Sequence, residues 1–134
     1  MNDCIFCKIV KEEIPAYKVY EDKLFLAFLD INPLNPGHTL VVPKVHYRWV
    51  LDMPEFDKYW TVAGRVGKVL QKSLKADSIN FLTLGYEISH AHIHVIPRFT
   101  DDDLGGTVDW SKHKKISKVE MAKIAEKMRG GVFD

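Results

Sequence analysis

The stretch His90-Ala91-His92-Ile93-His94-Val95-Ile96 alternates strictly between imidazole and apolar side chains. A period of two is the pattern of an extended strand, whose successive side chains point to opposite faces and whose same-face neighbours lie ~6.6 Å apart. A strand is therefore expected from His90 to Pro97, with the three histidines on one face and Ala91, Ile93 and Val95 on the other. A merely solvated face does not call for histidine, because Lys, Thr or Glu serves as well. Three imidazoles in one row point to chemistry. They can ligate a catalytic metal, or one can be a nucleophile that its neighbours position. The spacing alone leaves both open.

The chain around this row has 134 residues, which fits a single domain, 1–134. With 46% apolar and 28% charged residues it has the composition of a soluble globular protein, which excludes wholesale disorder and fibrous repeats. The formal charge of +1 gives no overall pull toward nucleic acid or anionic membrane, so an anion must be met by a local site. Apolar runs such as Leu24 to Leu29 fall well short of the roughly 20 residues that a membrane span takes. The opening Met1-Asn2-Asp3-Cys4 lacks a basic segment leading into an apolar run, so no secretory signal is read and the cytoplasm is the expected compartment.

Asp3 is placed to cap a short helix over about residues 4–11, which Pro15 prevents from continuing. Such a helix sets Cys4 and Cys7, the two cysteines of the chain, one turn apart on one face. In a cytosolic protein that C-x-x-C spacing suggests a metal half-site or a redox pair more than a disulfide. Tyr17 to Tyr20 and Leu24 to Asp30 read as a hairpin, and His38 to Pro43 as a strand entered from the turn Asn32-Pro33-Leu34-Asn35-Pro36-Gly37.

Asp52-Met53-Pro54-Glu55 has the form of a capping box, and Phe56, Tyr59, Trp60, Ala63, Val66, Leu70 and Leu74 continue it as one helical apolar stripe. Ser78 to Leu84 is a further strand. Asp101 to Gly106 reads as an exposed, flexible loop. Ser117 to Glu120 opens a last helix with Val119, Met121, Ile124, Ala125 and Met128 on its apolar side, and Gly130-Gly131 ends it. About five strands in adjacent pairs with short connections, one long helix and shorter terminal helices imply an α+β fold on an antiparallel sheet. No internal repeat is present.

At this point the chain resembles a known family. His90-Ala91-His92-Ile93-His94-Val95-Ile96 followed by Pro97-Arg98 is similar to the signature of the histidine triad (HIT) nucleotide-binding proteins. Asp3-Cys4-Ile5-Phe6-Cys7-Lys8-Ile9-Val10, the segment from Tyr20-Glu21-Asp22 through Phe28-Leu29-Asp30-Ile31-Asn32-Pro33, and Pro36 through His46 resemble the zinc-containing bacterial and archaeal branch. The likeness spans residues 3–98, which makes 99–134 a variable C-terminal extension.

The resemblance implies a HIT fold and a hydrolase or nucleotidyl transferase working at the α-phosphate of a purine nucleotide, of phosphoramidate or dinucleoside polyphosphate type. It implies His92 as the nucleophile that forms a covalent nucleotidyl-histidine, with His94 and His38 in support. It places the nucleotide against Ile5, Phe6, Phe28, Asp30 and Ile31, with Asp30 suited to accept from the ribose hydroxyls and the apolar residues able to hold the base. It implies a structural Zn²⁺ on Cys4, Cys7, His46 and His90, and a homodimer.

Two readings from other classes stand beside it: a non-catalytic nucleotide-binding regulator, and a metal-dependent hydrolase with the triad as ligands. The family often carries a longer Asn- and Gly-rich loop before the triad and a Gln soon after its last Gly. Here Leu84-Gly85-Tyr86-Glu87-Ile88-Ser89 puts Tyr86 at the Gln position, and Ser89 is the polar candidate for phosphate. Trp110, in a segment without a family match, is a candidate wall of the leaving-group pocket.

Overall fold

The computed structural model describes residues 3–131 and Phe133, so positions 1, 2, 132 and 134 of a 1–134 domain lie outside the described residues. Aromatic and branched residues build the expected hairpin from β1 (Lys18–Glu21) and β2 (Phe25–Leu29), antiparallel with a bulge between Lys18 and Tyr20. Asp22 fixes its turn by accepting from the backbone N–H groups of Leu24 and Phe25, each at 2.8 Å. With β3 (Thr39–Pro43), β4 (Ser78–Leu82) and β5 (Ile93–Arg98) these make a five-stranded sheet in the order β1-β2-β3-β5-β4, antiparallel at every pairing. Among the described residues the α-helices are α1 (Ile5–Val10), α2 (Phe56–Leu74) and α3 (Lys118–Arg129). The architecture is the expected α+β.

The period of two divides the sheet into two packed faces. Phe25, Ala27 and Leu29 of β2, Val41 of β3, and Ala91, Ile93 and Val95 face α2 and α3, where Tyr59, Val66, Leu70, Met121 and Met128 meet them. Tyr59 is fully buried there, stacked on Phe25 at 5.1 Å and donating its hydroxyl to the Val41 carbonyl at 2.7 Å. Each such fully buried side chain stabilises the fold by about 1.5–3 kcal/mol. On the opposite face Leu26, Phe28, Leu40 and Val42 pack under Phe6 and Ile9 of α1. His94, in register with Leu40, belongs to this second face.

Several local expectations are corrected. The cap of α1 is Cys4, not Asp3: the Cys4 Sγ accepts from the Cys7 N–H at 3.4 Å. The capping box at Asp52 does not form. Val50–Asp52 is instead a 3-10 turn, Met53 is held extended as the residue before Pro54, and α2 begins only at Phe56. The strand expected from His90 begins at Ile93, because Ala91 N–H bonds the Tyr47 carbonyl of another loop at 2.7 Å rather than joining the ladder. The side-chain alternation survives this shift, since Ala91 still faces the α2 side.

β4 stops at Leu82, leaving Leu84 exposed, and Val119 of the α3 stripe faces out. Ser117 does cap α3, accepting from the Glu120 N–H at 3.1 Å.

The largest correction concerns 101–106, which is not a solvated loop: Asp102 and Leu104 are buried. The Asp102 carboxylate accepts from Arg98 Nε at 2.7 Å, Asn35 Nδ2 at 2.9 Å, and the N–H groups of Phe99 and Leu104. These donors hold its carboxyl well below the usual carboxylate range, the Arg98 guanidinium first among them. A buried carboxylate with that many donors turns an acidic run into an anchor. It secures the chain that carries Trp110, in a 3-10 turn (Trp110–Lys112), over the second face of the sheet.

Candidate functional site

The N-terminus of α1 and the start of the histidine row meet above the second face. Cys4 Sγ lies 3.4 Å from His90 Nδ1, and Cys7 Sγ lies 3.3 Å from His46 Nδ1 and 3.5 Å from His90 Nδ1. All four donor atoms fall within 4.8 Å of one another. Zinc–sulfur and zinc–nitrogen bonds of ~2.3 and ~2.05 Å in a tetrahedron put neighbouring S and N atoms about 3.5 Å apart, so the donor set fits Zn²⁺ in spacing and chemistry.

His90 Nε2 bonds the Pro43 carbonyl at 2.8 Å, which places its proton there and leaves Nδ1 as the bare nitrogen that faces the sulfurs. Burial pushes the Cys7 thiol pKa up, and a bound cation is what makes thiolate the stable form in such a place. Four protein donors leave no open coordination position, so a metal here is structural.

His92 sits beside this cluster in a different state. Its Nδ1 bonds the His90 carbonyl at 2.8 Å, an arrangement that requires the proton on Nδ1. Burial lowers its pKa, so the ring is neutral near pH 7 and Nε2 carries a free lone pair. Phe6 holds the ring edge-on at 5.2 Å, and Thr83 Oγ1 donates to the His92 carbonyl at 2.8 Å.

His94 and His38 form a relay. The Leu34 N–H donates to His38 Nδ1 at 3.0 Å, so a neutral His38 bears its proton on Nε2, 2.9 Å from His94 Nδ1. That hydrogen bond occupies His94 Nδ1 and puts the His94 proton on Nε2. Burial pushes His38 down to about 3 and His94 down to about 4, which keeps both neutral. The His94 ring stands 5.1 Å from His92 and 4.9 Å from Trp110. A bare Nε2 on one ring and an Nε2–H on its neighbour supply a nucleophile for attack at phosphorus and a hydrogen-bond donor for the leaving atom. Asp30, His38 and His94 also come within metal-binding distance of one another, but the direct His38–His94 hydrogen bond already uses their facing nitrogens.

The expected nucleotide residues divide. Phe6 and Phe28 are buried and meet edge-on at 5.6 Å, while Ile5 and Ile31 are 42% and 72% exposed. Asp30 lies at the rim, its Oδ1 accepting from Asn32 N–H at 2.9 Å and its Oδ2 3.6 Å from His38 Nε2. Burial raises its pKa. Ser89 is exposed.

Two contributions were not read from the sequence. The Leu34 N–H fixes the relay's tautomers, and Asn35 ties the turn before His38 to Asp102 and to the Pro97 carbonyl. The Asn-Pro-Gly turn marks a bend, but nothing in it names the ring nitrogen that its backbone reaches.

Comparison with known proteins gives the family. A family model described as the HIT domain matches residues 11–101. A HIT-like protein of Borreliella burgdorferi is 48% identical over 116 residues, covering 78% of this chain and 82% of that protein. The adenosine 5'-monophosphoramidase of Saccharomyces cerevisiae is 42% identical over 112 residues, covering 80% of this chain and 69% of the relative. The crystal structure of a zinc-bound histidine triad family protein from Mycobacterium smegmatis superposes with a TM-score of 0.78 at 32% identity, covering 96% of this chain and 91% of that one. Sheet order, histidine geometry and these matches converge: the chain belongs to the HIT family.

Proposed function

We propose that this chain is a nucleotide hydrolase or nucleotidyl transferase acting at the α-phosphate of purine nucleotides, with His92 as nucleophile. The observation that carries the reading is the pair of complementary tautomers, the lone pair on His92 Nε2 beside the proton on His94 Nε2. The similarity to a yeast adenosine 5'-monophosphoramidase supports it.

In the first step the His92 Nε2–P bond forms while the bond from phosphorus to the leaving nitrogen or oxygen breaks. The leaving atom keeps the electron pair and is stabilised by a hydrogen bond from His94 Nε2–H, while the proton that completes it comes from solvent. His38 holds His94 Nδ1 throughout and so preserves the tautomer. In the second step a water oxygen bonds phosphorus, the P–N bond to His92 breaks with its electron pair returning to Nε2, and the water proton passes to solvent. An acceptor hydroxyl in place of water makes the same step a transfer.

Asp30 accepts from the ribose hydroxyls, Phe6 and Phe28 back the base, Ile5 and Ile31 cover it, and Ser89 is the polar contact for phosphate. Cys4, Cys7, His46 and His90 hold a structural Zn²⁺, which staples α1 to the loop before the triad. That assignment works against a metal-dependent hydrolysis by the triad, because the cluster claims His90. A pure regulator has no use for the His92–His94 pairing.

The chain as a whole is read as one such domain of the cytoplasm, with 99–134 as its variable extension. Among the described residues no helix is long and apolar enough to cross a membrane. A homodimer has support in β4, which is an edge strand with Phe81 exposed and Trp60 and Phe56 following it along α2 in edge-to-ring contact.

The test is AMP release from adenosine 5'-monophosphoramidate. Wild type is expected to turn over and His92→Asn to fall by more than about 10³-fold. Equal rates would reject His92 as nucleophile.

A further inference from the structure

The chain beyond the sheet reaches back to the histidine relay through one residue. Lys114 follows the 3-10 turn of Trp110, in a stretch without regular structure, and is half-buried. Its backbone N–H donates to the Pro33 carbonyl at 2.7 Å, and its Nζ donates to the Leu34 carbonyl, also at 2.7 Å. These carbonyls belong to consecutive peptide groups, so one residue clamps both. Nζ also meets Asp103 Oδ1 at 3.3 Å and the Asp102 carbonyl at 3.4 Å, which ties the clamp to the buried Asp102 anchor.

Between the two clamped carbonyls stands the Leu34 N–H, the group that donates to His38 Nδ1 at 3.0 Å. The Pro33–Leu34 peptide is thus bonded at both ends, its oxygen to Lys114 and its N–H to His38. Pro33 and Leu34 are buried, and Leu34 packs with Ile96 and Leu104. From the Lys114 N–H through this peptide and His38 to His94 the hydrogen bonds form one row, in which each polarises the next.

The direction of that row is set at the peptide. The bond between His38 Nε2 and His94 Nδ1 can carry its proton on either nitrogen, and Asp30 Oδ2, 3.6 Å from His38 Nε2, is beyond hydrogen-bond range. The same peptide turned over would offer the Pro33 carbonyl to His38 Nδ1 and so require the proton there. His38 Nε2 would then be bare, His94 would donate from Nδ1, and His94 Nε2 would have no proton to offer a leaving atom. Each neutral ring keeps one proton and only its position changes. A buried carbonyl without a donor is costly, so a Pro33 oxygen deprived of the Lys114 N–H is driven toward that second arrangement.

Resting on the reading of His94 as the donor to the leaving atom, we propose that Lys114 is a positioning residue for the reaction. Its backbone N–H holds the Pro33–Leu34 peptide in the orientation that keeps the proton on His94 Nε2. It acts through the peptide and His38, not on the substrate.

The experiment reads ring tautomers by nitrogen NMR on histidine-labelled protein at neutral pH, in wild type, Lys114→Pro and Lys114→Met. Lys114→Pro deletes the N–H, and His113, at φ −58° and ψ 148°, already has the extended backbone that precedes a proline. Lys114→Met keeps the N–H and drops only the Nζ bonds. Wild type and Lys114→Met are expected to show one state, with the proton on Nε2 of both His38 and His94. Lys114→Pro is expected to add a second state with both rings protonated on Nδ1. Its kcat for adenosine 5'-monophosphoramidate should fall about 5-fold with KM kept, as the loss of one hydrogen bond implies.

Unaltered tautomers in Lys114→Pro overturn the proposal, and so does a shift of equal size in Lys114→Met. Shifted tautomers with an unaltered kcat uphold the clamp and count instead against His94 as the donor, so the two failures are told apart. If Lys114→Pro does not fold, an ester oxygen in place of the Lys114 N–H, with the lysine side chain kept, is read by the same criteria.

Discussion

His90 and His92 are two residues apart in one alternating row, yet their rings present opposite nitrogens. His90 puts its proton on Nε2, against the Pro43 carbonyl, and turns a bare Nδ1 to two sulfurs. His92 puts its proton on Nδ1, against the His90 carbonyl, and leaves Nε2 bare. One end of the row is a closed donor set beside α1. The other is a reactive pair under Trp110. The contrast teaches that residue type supplies the imidazole, while the nearest carbonyl decides what the imidazole can do.

Exchanging damage between the two ends gives the largest expected effect. His92→Asn should abolish turnover, a loss above about 10³-fold, and leave melting nearly in place. Cys7→Ser should lower the melting temperature by about 10 °C and release zinc, while turnover per folded molecule persists. Elemental analysis, a thermal melt and an AMP-release assay on both variants check this. Matching profiles would merge the two ends into one site.

Next in size is the relay. His38→Ala frees His94 Nδ1 to take the proton, so Nε2 no longer reliably donates it. The expected cost is about 10²-fold in kcat, larger for a leaving amine than for a leaving phosphate. Assays with both substrates show whether the leaving group matters as stated.

The anchor that carries Trp110 over the reactive end comes third. Asp102→Ala breaks the buried pairing with Arg98 and is expected to cost about 3 kcal/mol of stability, read by denaturant unfolding. Because the folded Asp102 pKa is depressed, its contribution is present above the unfolded value near ~3.9 and is lost as the pH falls below it. The variant should therefore lose less stability than wild type between about pH 4 and 2.

The last effect, read as a slope rather than a single loss, is the pH dependence set by the buried relay. His38 and His94 accept protons near ~6.5 when unfolded but only at about 3 and about 4 when folded. Stability should be full above that unfolded value and decline as the pH drops toward the folded ones. A His38→Ala melt series across this window should show a shallower decline.

How much of this could be read from residues alone differs along the chain. The hairpin, the antiparallel sheet and the Ser117 cap follow from local patterns, because alternation and capping act between near neighbours. The N-terminal half of the triad row does not join the ladder, because a distant Tyr47 carbonyl takes the Ala91 N–H. The acidic run at 101–103 looked solvated, since nothing in Asp101-Asp102-Asp103 announces that Arg98 and Asn35 converge on its middle member. At the candidate site, resemblance pointed to Cys4, Cys7, His46 and His90, and the structure brings these four together. The tautomers were beyond reach, because they depend on backbone carbonyls and N–H groups that carry no residue identity.

The account rests on His92 Nε2 attacking phosphorus. Adenosine 5'-monophosphoramidate mixed with the protein, quenched in denaturant and weighed intact by mass spectrometry tests it most directly. Wild type should carry one AMP, mapped by peptide analysis to His92 and absent from His92→Asn. An adduct that persists in the variant, or AMP release with no adduct and no loss of rate in His92→Asn, would contradict it.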